Sequence, residues 1–441
     1  MRLPVLLPTL VLGLAATLPV RAATPVPSTL WVTQLGPSGP GSLRAAIEAA
    51  NARPGLDHIR FARGLAGTIG ISGTPLEIRD ALQIHGPGSD QLRLRGDSQT
   101  RMFHVAASAD EVMLGGLHLT DAGDSAIVNE GASLTVEDCV LRTNYGVRGA
   151  AIASYGGDLH VRRTTIRDNY AQTLGGAEDG LGGGIYAKGA TVMIEASRVS
   201  SNHADALGGG IYADLPAEGV LVVRSSLIDA NAAVTQGGGL FLHANGGPPT
   251  GILNSTISGN RSIRHAAVWF DGALVMNNST VTDNYSPGNE IPGVCMGLCG
   301  AGQHSELWLT STLVSANRDL HDNGYDLLAV PGGTHVSHSL IERVGDNAID
   351  DDRGGNLLNV DPRIGPLLDN GGALPTHALS SNSPAIDAGL NLSLFQYDQR
   401  GGCHARVVGA AADIGAYEYR PLAAPTGRRR LPACMPSFPW R

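Results

Sequence analysis

LHVRRTTIRDN (159–169), VMIEASRVSSN (192–202) and LVVRSSLIDAN (221–231) are versions of one line, each closing on asparagine. The line also occurs as LTVEDCVLRTN (134–144), GILNSTISGN (251–260), LVMNNSTVTDN (274–284) and LWLTSTLVSAN (307–317). The closing residues are Asn144, Asn169, Asn202, Asn231, Asn260, Asn284 and Asn317, spaced 24 to 33 residues apart. That period belongs to a solenoid coil, which buries its apolar face only by stacking on its neighbours. Within each line apolar residues alternate over short runs, as at Leu159 and Val161, which is strand periodicity; helical spacing is missing. Short strands separated by glycine-rich corners predict an all-β parallel β-helix.

The register predicts columns. Five residues before each asparagine stand Cys139, Thr164, Ser197, Ser226, Ser255, Ser279 and Thr312, small side chains able to stack in one file. Asparagines repeating at the strand spacing of about 4.8 Å can hydrogen-bond from coil to coil. Both files read as structural, and Cys139 as a buried free thiol.

Composition narrows the function classes. The chain has 441 residues, 59 of them glycine, a net charge of −9 and a single lysine, Lys188. Without a basic stripe, nucleic acid and anionic membranes are not expected partners. Residues 1–22 combine Arg2, an apolar run broken by prolines and a Val20-Arg21-Ala22 end, as in a secretory signal cut after Ala22. No later stretch has membrane-spanning length, so a secreted, extracellular or periplasmic protein is expected. In an exported chain Cys295 and Cys299, close together in PGVCMGLCG, suit a local disulfide, and Cys403 can pair with Cys434. Zinc is the alternative, although no second CxxC-type pair or HxxxH accompanies them.

At the N-terminus TLWVTQ is a strand, and GPGSLRAAIEAANARPG carries a short helix N-capped by Ser42 and ended by Pro54-Gly55. It is the expected lid on the raw first coil. Weaker coils fill 56–131. GGGIYA (182–187), GGGIYA (208–213) and GGGLFL (237–242) then resemble the repeats of bacterial surface β-helix proteins. DPRIGPLLDNGGALPTHALSSNSPAIDAG (361–389), with DQRG and ADIGAYE in 398–418, looks like the end of a choice-of-anchor Q domain, and GSLRAAIEAAN resembles that family's opening. The resemblance implies a right-handed, pectate-lyase-like β-helix, exported and often held at a cell surface, with no defined activity. After Tyr419 the chain departs from the pattern, having basic residues but no apolar span. The expected organisation is a signal peptide (1–22), an N-terminal strand and capping helix (23–55), the β-helix (56–345), its choice-of-anchor Q-type end (346–420) and a flexible tail (421–441).

The strand after each glycine run supplies the candidate site. Ile185, Ile211, Leu240 and Val268 should point inward. Tyr186, Tyr212, Phe241 and Trp269 should face out as a substrate-binding file, with Lys188, Asp214, His243 and Asp271 beside them as candidate catalytic groups. Rings stack on sugar C–H faces, and two carboxylates about 9.6 Å apart sit at the upper edge of an inverting pair. His243 or Lys188 is the candidate base for a lyase. The competing reading is a packed corner with a solvated ladder of ion pairs. A further file, Tyr145, Tyr170, His203, Ala232, Arg261, Tyr285 and Arg318, reads as solvated corner residues.

No cofactor is expected. Asp350-Asp351-Asp352 offers calcium ligands, but an acidic turn accounts for it equally. HExxH, GxSxG and the Asn-Thr-Asp and Gly-His-Gly elements of pectin hydrolases are missing. The sequence therefore favours a non-catalytic β-helix that binds polysaccharide or a cell-surface component. The alternatives are a polysaccharide lyase or glycoside hydrolase working at Asp214, His243 and Asp271, or a structural spacer.

Overall fold

The computed structural model describes residues 27–421 except 177, 190, 245, 288–294 and 321–323. The expected signal segment and Cys434 lie outside the described residues. One coil consists of strands Ser133–Glu137, Val140–Arg142, Tyr145–Gly146 and Ile152–Ser154. Repetition stacks these into four parallel sheets, of 13, 12, 7 and 10 strands in that order around the coil. Alternate residues enter one continuous apolar core that runs from Val32 to Ala348. Helix α1 (Leu43–Asn51) closes the first coil: Ser42 accepts a hydrogen bond from the Ala45 amide, and Leu43, Ala46, Ile47 and Ala50 are buried.

The corner between the first two sheets turns on one residue in the left-handed region, such as Arg163 (φ 45°), Ala196 (φ 48°) or Ser225 (φ 47°). Such backbone costs about 1–3 kcal/mol for a non-glycine residue. The small side chain that follows offsets this. Ser197 Oγ accepts from the Thr164 amide and donates to the Glu195 carbonyl, and Ser226 Oγ does the same one coil on. Cys139 occupies this file as a free buried thiol, and burial pushes its pKa up to about 12.

The asparagine file is the second corner. Asn202 donates from its amide (3.0 Å) and from Nδ2 (2.9 Å) to Oδ1 of Asn231, which donates likewise to Asn260. The second Nδ2 hydrogen goes to a carbonyl of the preceding coil, Ile166 for Asn202 and Val199 for Asn231. All seven asparagines are at most 1% exposed. The ladder closes on a residue absent from the repeat: Asn317 donates to Oδ1 of Asp326, whose Oδ2 accepts from the Arg343 amide. Both oxygens accept, so an asparagine at 326 would turn its NH2 toward another N–H. The glycine triplets answer to the same column. A β-carbon on Gly210 would lie 2.9 Å from Asn231 Nδ2 and 2.7 Å from the Gly239 carbonyl oxygen.

Strands Asp351–Asp352 and Leu357–Leu358 are the last to join the solenoid sheets. Residues 361–420 then fold back along its side as a strap over the second sheet. Thr256 donates to Gln399, Ser258 meets His377 at 2.8 Å, and the Ala416 amide donates to Thr280. The DQRG and ADIGAYE segments form its knot: Arg400 Nε donates to Asp398 (2.9 Å), and Arg406 donates to the Gly415 and Asp413 carbonyls and to Glu418. These four side chains are at most 5% exposed, and burial raises the Glu418 pKa to about 7. Cys295 and Cys299 form the expected disulfide. Cys403 is also disulfide-bonded.

Asn231→Ala leaves two donors of Asn202 without their acceptor and the Val199 carbonyl without the Nδ2 donor, and should cost about 3 kcal/mol in denaturant unfolding. An unchanged midpoint would contradict the ladder. Asp326 is pushed up to about 6 by burial, from an unfolded value of 3.8. The folded carboxyl thus holds its proton more tightly than the unfolded one. Its stabilising contribution is complete below pH about 4 and disappears as pH rises through about 6. Asp326→Asn should remove that part of the pH slope, measured as the difference between parent and variant melting points from pH 4 to 7.

Candidate functional site

The fourth sheet carries the candidate site. Ile185, Ile211, Leu240 and Val268 point into the core and are fully buried. The next positions pair directly, Tyr186 with Tyr212, Tyr212 with Phe241, and Phe241 with Trp269. Parallel in-register pairing puts the rings face to face, with centroids 5.3, 5.2 and 4.1 Å apart and interplanar angles of 3°, 3° and 7°.

This geometry corrects one expectation. Tyr186 and Phe241 do not face solvent; they are 1% and 8% exposed. Each ring covers its neighbour's face, and the backbone of the glycine corners tucks against the file: a β-carbon on Gly208 would meet Tyr212 Cα at 2.9 Å. Only ring edges are left to line the surface, and Trp269 is followed in register by Cys299. Burial pushes the Tyr212 phenol up to about 12 and also raises Tyr186.

The ionisable row lies beside the rings. Lys188 Nζ is 3.1 Å from Asp214, and His243 sits between Asp214 (Nδ1, 3.4 Å) and Asp271 (Nε2, 3.5 Å). These side chains are 22–38% exposed. The hydrogen bond to Asp214 raises the Lys188 pKa, so the ammonium stays charged at neutral pH and is a poor base. Both nitrogens of His243 already face carboxylates. The row satisfies itself.

Two segments flank it. Arg148 Nε donates to the Glu178 carbonyl (2.8 Å) and its guanidinium lies 5.9 Å from the Tyr186 ring, holding Glu178 beside the stack. At the other end Gly302 is so close that a β-carbon there would overlap the Asp271 carboxylate. The third-sheet file is interlocked too: Tyr145 meets Tyr170 edge-on, Tyr170 donates to Asp205, and Arg261 lies over Tyr285. The Asp350–Asp352 run leads into and forms the short strand Asp351–Asp352, not an acidic turn, and its carboxylates bind the Thr334 amide, Arg353 and Asn356. Sequence reasoning missed a cleft of about 640 Å³ between the solenoid corner at Ala196, Ser225 and Asn254 and the strap at Phe395–Cys403. Its walls come from distant parts of the chain, and no local motif announces it.

Comparison with known proteins agrees with the architecture. A family profile described as a right handed beta helix region matches residues 103–291. The crystal structure of pectate lyase Pel9A superposes with a TM-score of 0.53 at 16% identity, covering 90% of this chain and 98% of that one. The A-module of Azotobacter vinelandii mannuronan C-5 epimerase AlgE6 gives 0.33 at 13% identity, over 72% of this chain and 92% of the other. No curated protein sequence matches. The fold is thus a right-handed parallel β-helix of the pectate-lyase-like kind. No helix among the described residues is long and apolar enough to cross a membrane.

If the row is a surface ladder, Lys188→Met should change stability by less than about 1 kcal/mol, the range of exposed ion pairs. A larger loss in chemical denaturation would show that the Lys188–Asp214 pair is structural.

Proposed function

We propose that this is an exported β-helix protein of the choice-of-anchor Q type whose fourth-sheet face binds polysaccharide or a cell-surface glycan without turning it over. The observation that carries the reading is the register itself: a four-ring stack, half-buried at Tyr212 and Trp269, and four ionisable groups repeat at one coil per step, Tyr186 to Trp269 and Lys188 to Asp271. A linear polymer lying along the axis meets the same chemistry on successive coils, and its hydroxyls can share the half-exposed Lys188, Asp214, His243 and Asp271. The internal pairing of that row supports binding over catalysis, because neither Lys188 nor His243 offers an unengaged basic nitrogen. The likeness to a pectate lyase is a likeness of fold, and a glycan ligand comes to this chain as our reading.

A polysaccharide lyase or hydrolase working at Asp214, His243 and Asp271 is the second reading. One observation favours it: an imidazole is held between two carboxylates, an arrangement that a bound substrate can open by displacing one of them. A spacer that binds nothing is the third.

A panel of acidic and neutral polysaccharides separates them, with binding, unsaturated product and reducing ends read independently. We expect binding without product, weakened roughly tenfold by Trp269→Ala, the cost of one lost aromatic contact. Asp271→Asn should leave binding in place. Product that disappears in Asp271→Asn would establish the enzyme. No binding to any glycan would leave the spacer.

A further inference from the structure

The cleft beside the strap has the makings of a second, independent site. Its floor is the row of left-handed corner residues between the first and second sheets. In most coils that row carries a larger or covered side chain: Arg163 is engaged by Asp138 (2.8 Å), and Asn278 is capped by the Leu390 carbonyl (2.8 Å). Between them the row shrinks to Ala196 and Ser225, followed by Asn254, and this local loss of side chain makes the depression. The strap closes the far side with Phe395, Tyr397 and the DQRG turn, whose Gln399 is anchored on Thr256.

Three features define what fits. The near wall ends an alternating ladder on the first sheet, Glu137–Arg162–Glu195–Arg224, with contacts of 3.9, 3.8 and 3.8 Å. Leu253 follows Arg224 in register, so Arg224 has a carboxylate neighbour on one side only. Its guanidinium lies 5.6 Å from the Phe395 ring and its side chain is 52% exposed, which leaves part of its charge and its donor fork turned to the cleft. The floor holds two buried amides, Asn254 and Gln399, 1% and 4% exposed. Asn254 Oδ1 and Gln399 Nε2 make no hydrogen bond within the protein, one an acceptor and one a donor. Unmatched buried polar atoms are rare and call for a partner. Phe395 and Tyr397 add ring surface at the mouth.

We propose that this cleft binds a uronic-acid unit of an acidic saccharide. The carboxylate meets the Arg224 fork, where charge-assisted pairing is strongest. Ring hydroxyls, each both donor and acceptor, match the Asn254 and Gln399 amides. The apolar sugar face lies against Tyr397 and Phe395. The volume suits one or two sugar residues, and the open mouth lets a chain continue. This site is separate from the fourth-sheet face, on another side of the coil.

The test is calorimetric titration of the full chain with trigalacturonate and with the α-1,4-linked galactotriose, which differ only at C6. Trigalacturonate should bind, and galactotriose should bind at least about tenfold more weakly. Arg224→Gln should remove that preference, and Tyr397→Ala should weaken both ligands, while melting temperature reports that the strap stays docked. Arg224→Gln should leave the Trp269-dependent binding of neutral polysaccharides unchanged, so that failure here is separable from failure of the fourth-sheet reading. Equal affinity for the two trisaccharides, or parent-like affinity in both Arg224→Gln and Tyr397→Ala, would overturn the proposal. So would a parent protein that binds neither.

Discussion

A side-chain amide that both donates and accepts is the part on which the solenoid depends. Backbone pairing holds neighbouring strands together but does not by itself choose where each coil turns. The asparagine column does, because Nδ2 and the amide of one residue reach the same Oδ1 of the next, as between Asn231 and Asn260. Each link contributes roughly 0.5–1.5 kcal/mol net, and breaking one strands buried donors at greater cost. The column is directional, with every carbonyl oxygen aimed toward the N-terminal end. It therefore requires an acceptor at its C-terminal end, which Asp326 provides. The third glycine of each triplet, such as Gly210, follows from the same constraint, since any side chain there would occupy the space of an asparagine.

In-register parallel stacking also shapes the surface. Like residues on successive coils fall side by side, so aromatic residues become a ring stack and charged residues become an alternating ladder. Both outcomes consume the chemistry they display. The faces of Tyr212 and Phe241 are spent on each other, and Asp214 is shared by Lys188 and His243. Where the repeat is interrupted, as at Ala196 and Ser225 under the strap, concave space and unmatched polar atoms return.

The strap is held by buried charge. Arg400 with Asp398 and Arg406 with Glu418 sit under the chain that folds back over the second sheet. Such pairs contribute little net stability, because desolvation consumes most of the attraction. Their value is geometric. Arg406 also holds the Gly415 and Asp413 carbonyls, so the turn closes in one arrangement only. The DQRG and ADIGAYE segments are thereby accounted for as structural parts, and they place Gln399 and Tyr397 at the cleft.

Much of this molecule was readable from the chain because a solenoid is local: its period, strand alternation, small-residue file and asparagine file are all written in repeats of 24 to 33 residues. Those repeats also determined the pairings on the fourth sheet, since parallel register follows once the glycine runs are aligned. The ring planes were not readable. Alternation says which side of a strand a residue occupies, not whether its neighbours and a glycine corner will bury it there, so Tyr186 and Phe241 read as exposed. Asp326 stayed hidden because it stands nine residues from Asn317, where the repeat predicts nothing. The strap and its cleft were decided by tertiary structure alone. They depend on the chain reversing direction after residue 361 and meeting coils more than a hundred residues earlier, as Gln399 meets Thr256, and no local period encodes such a contact.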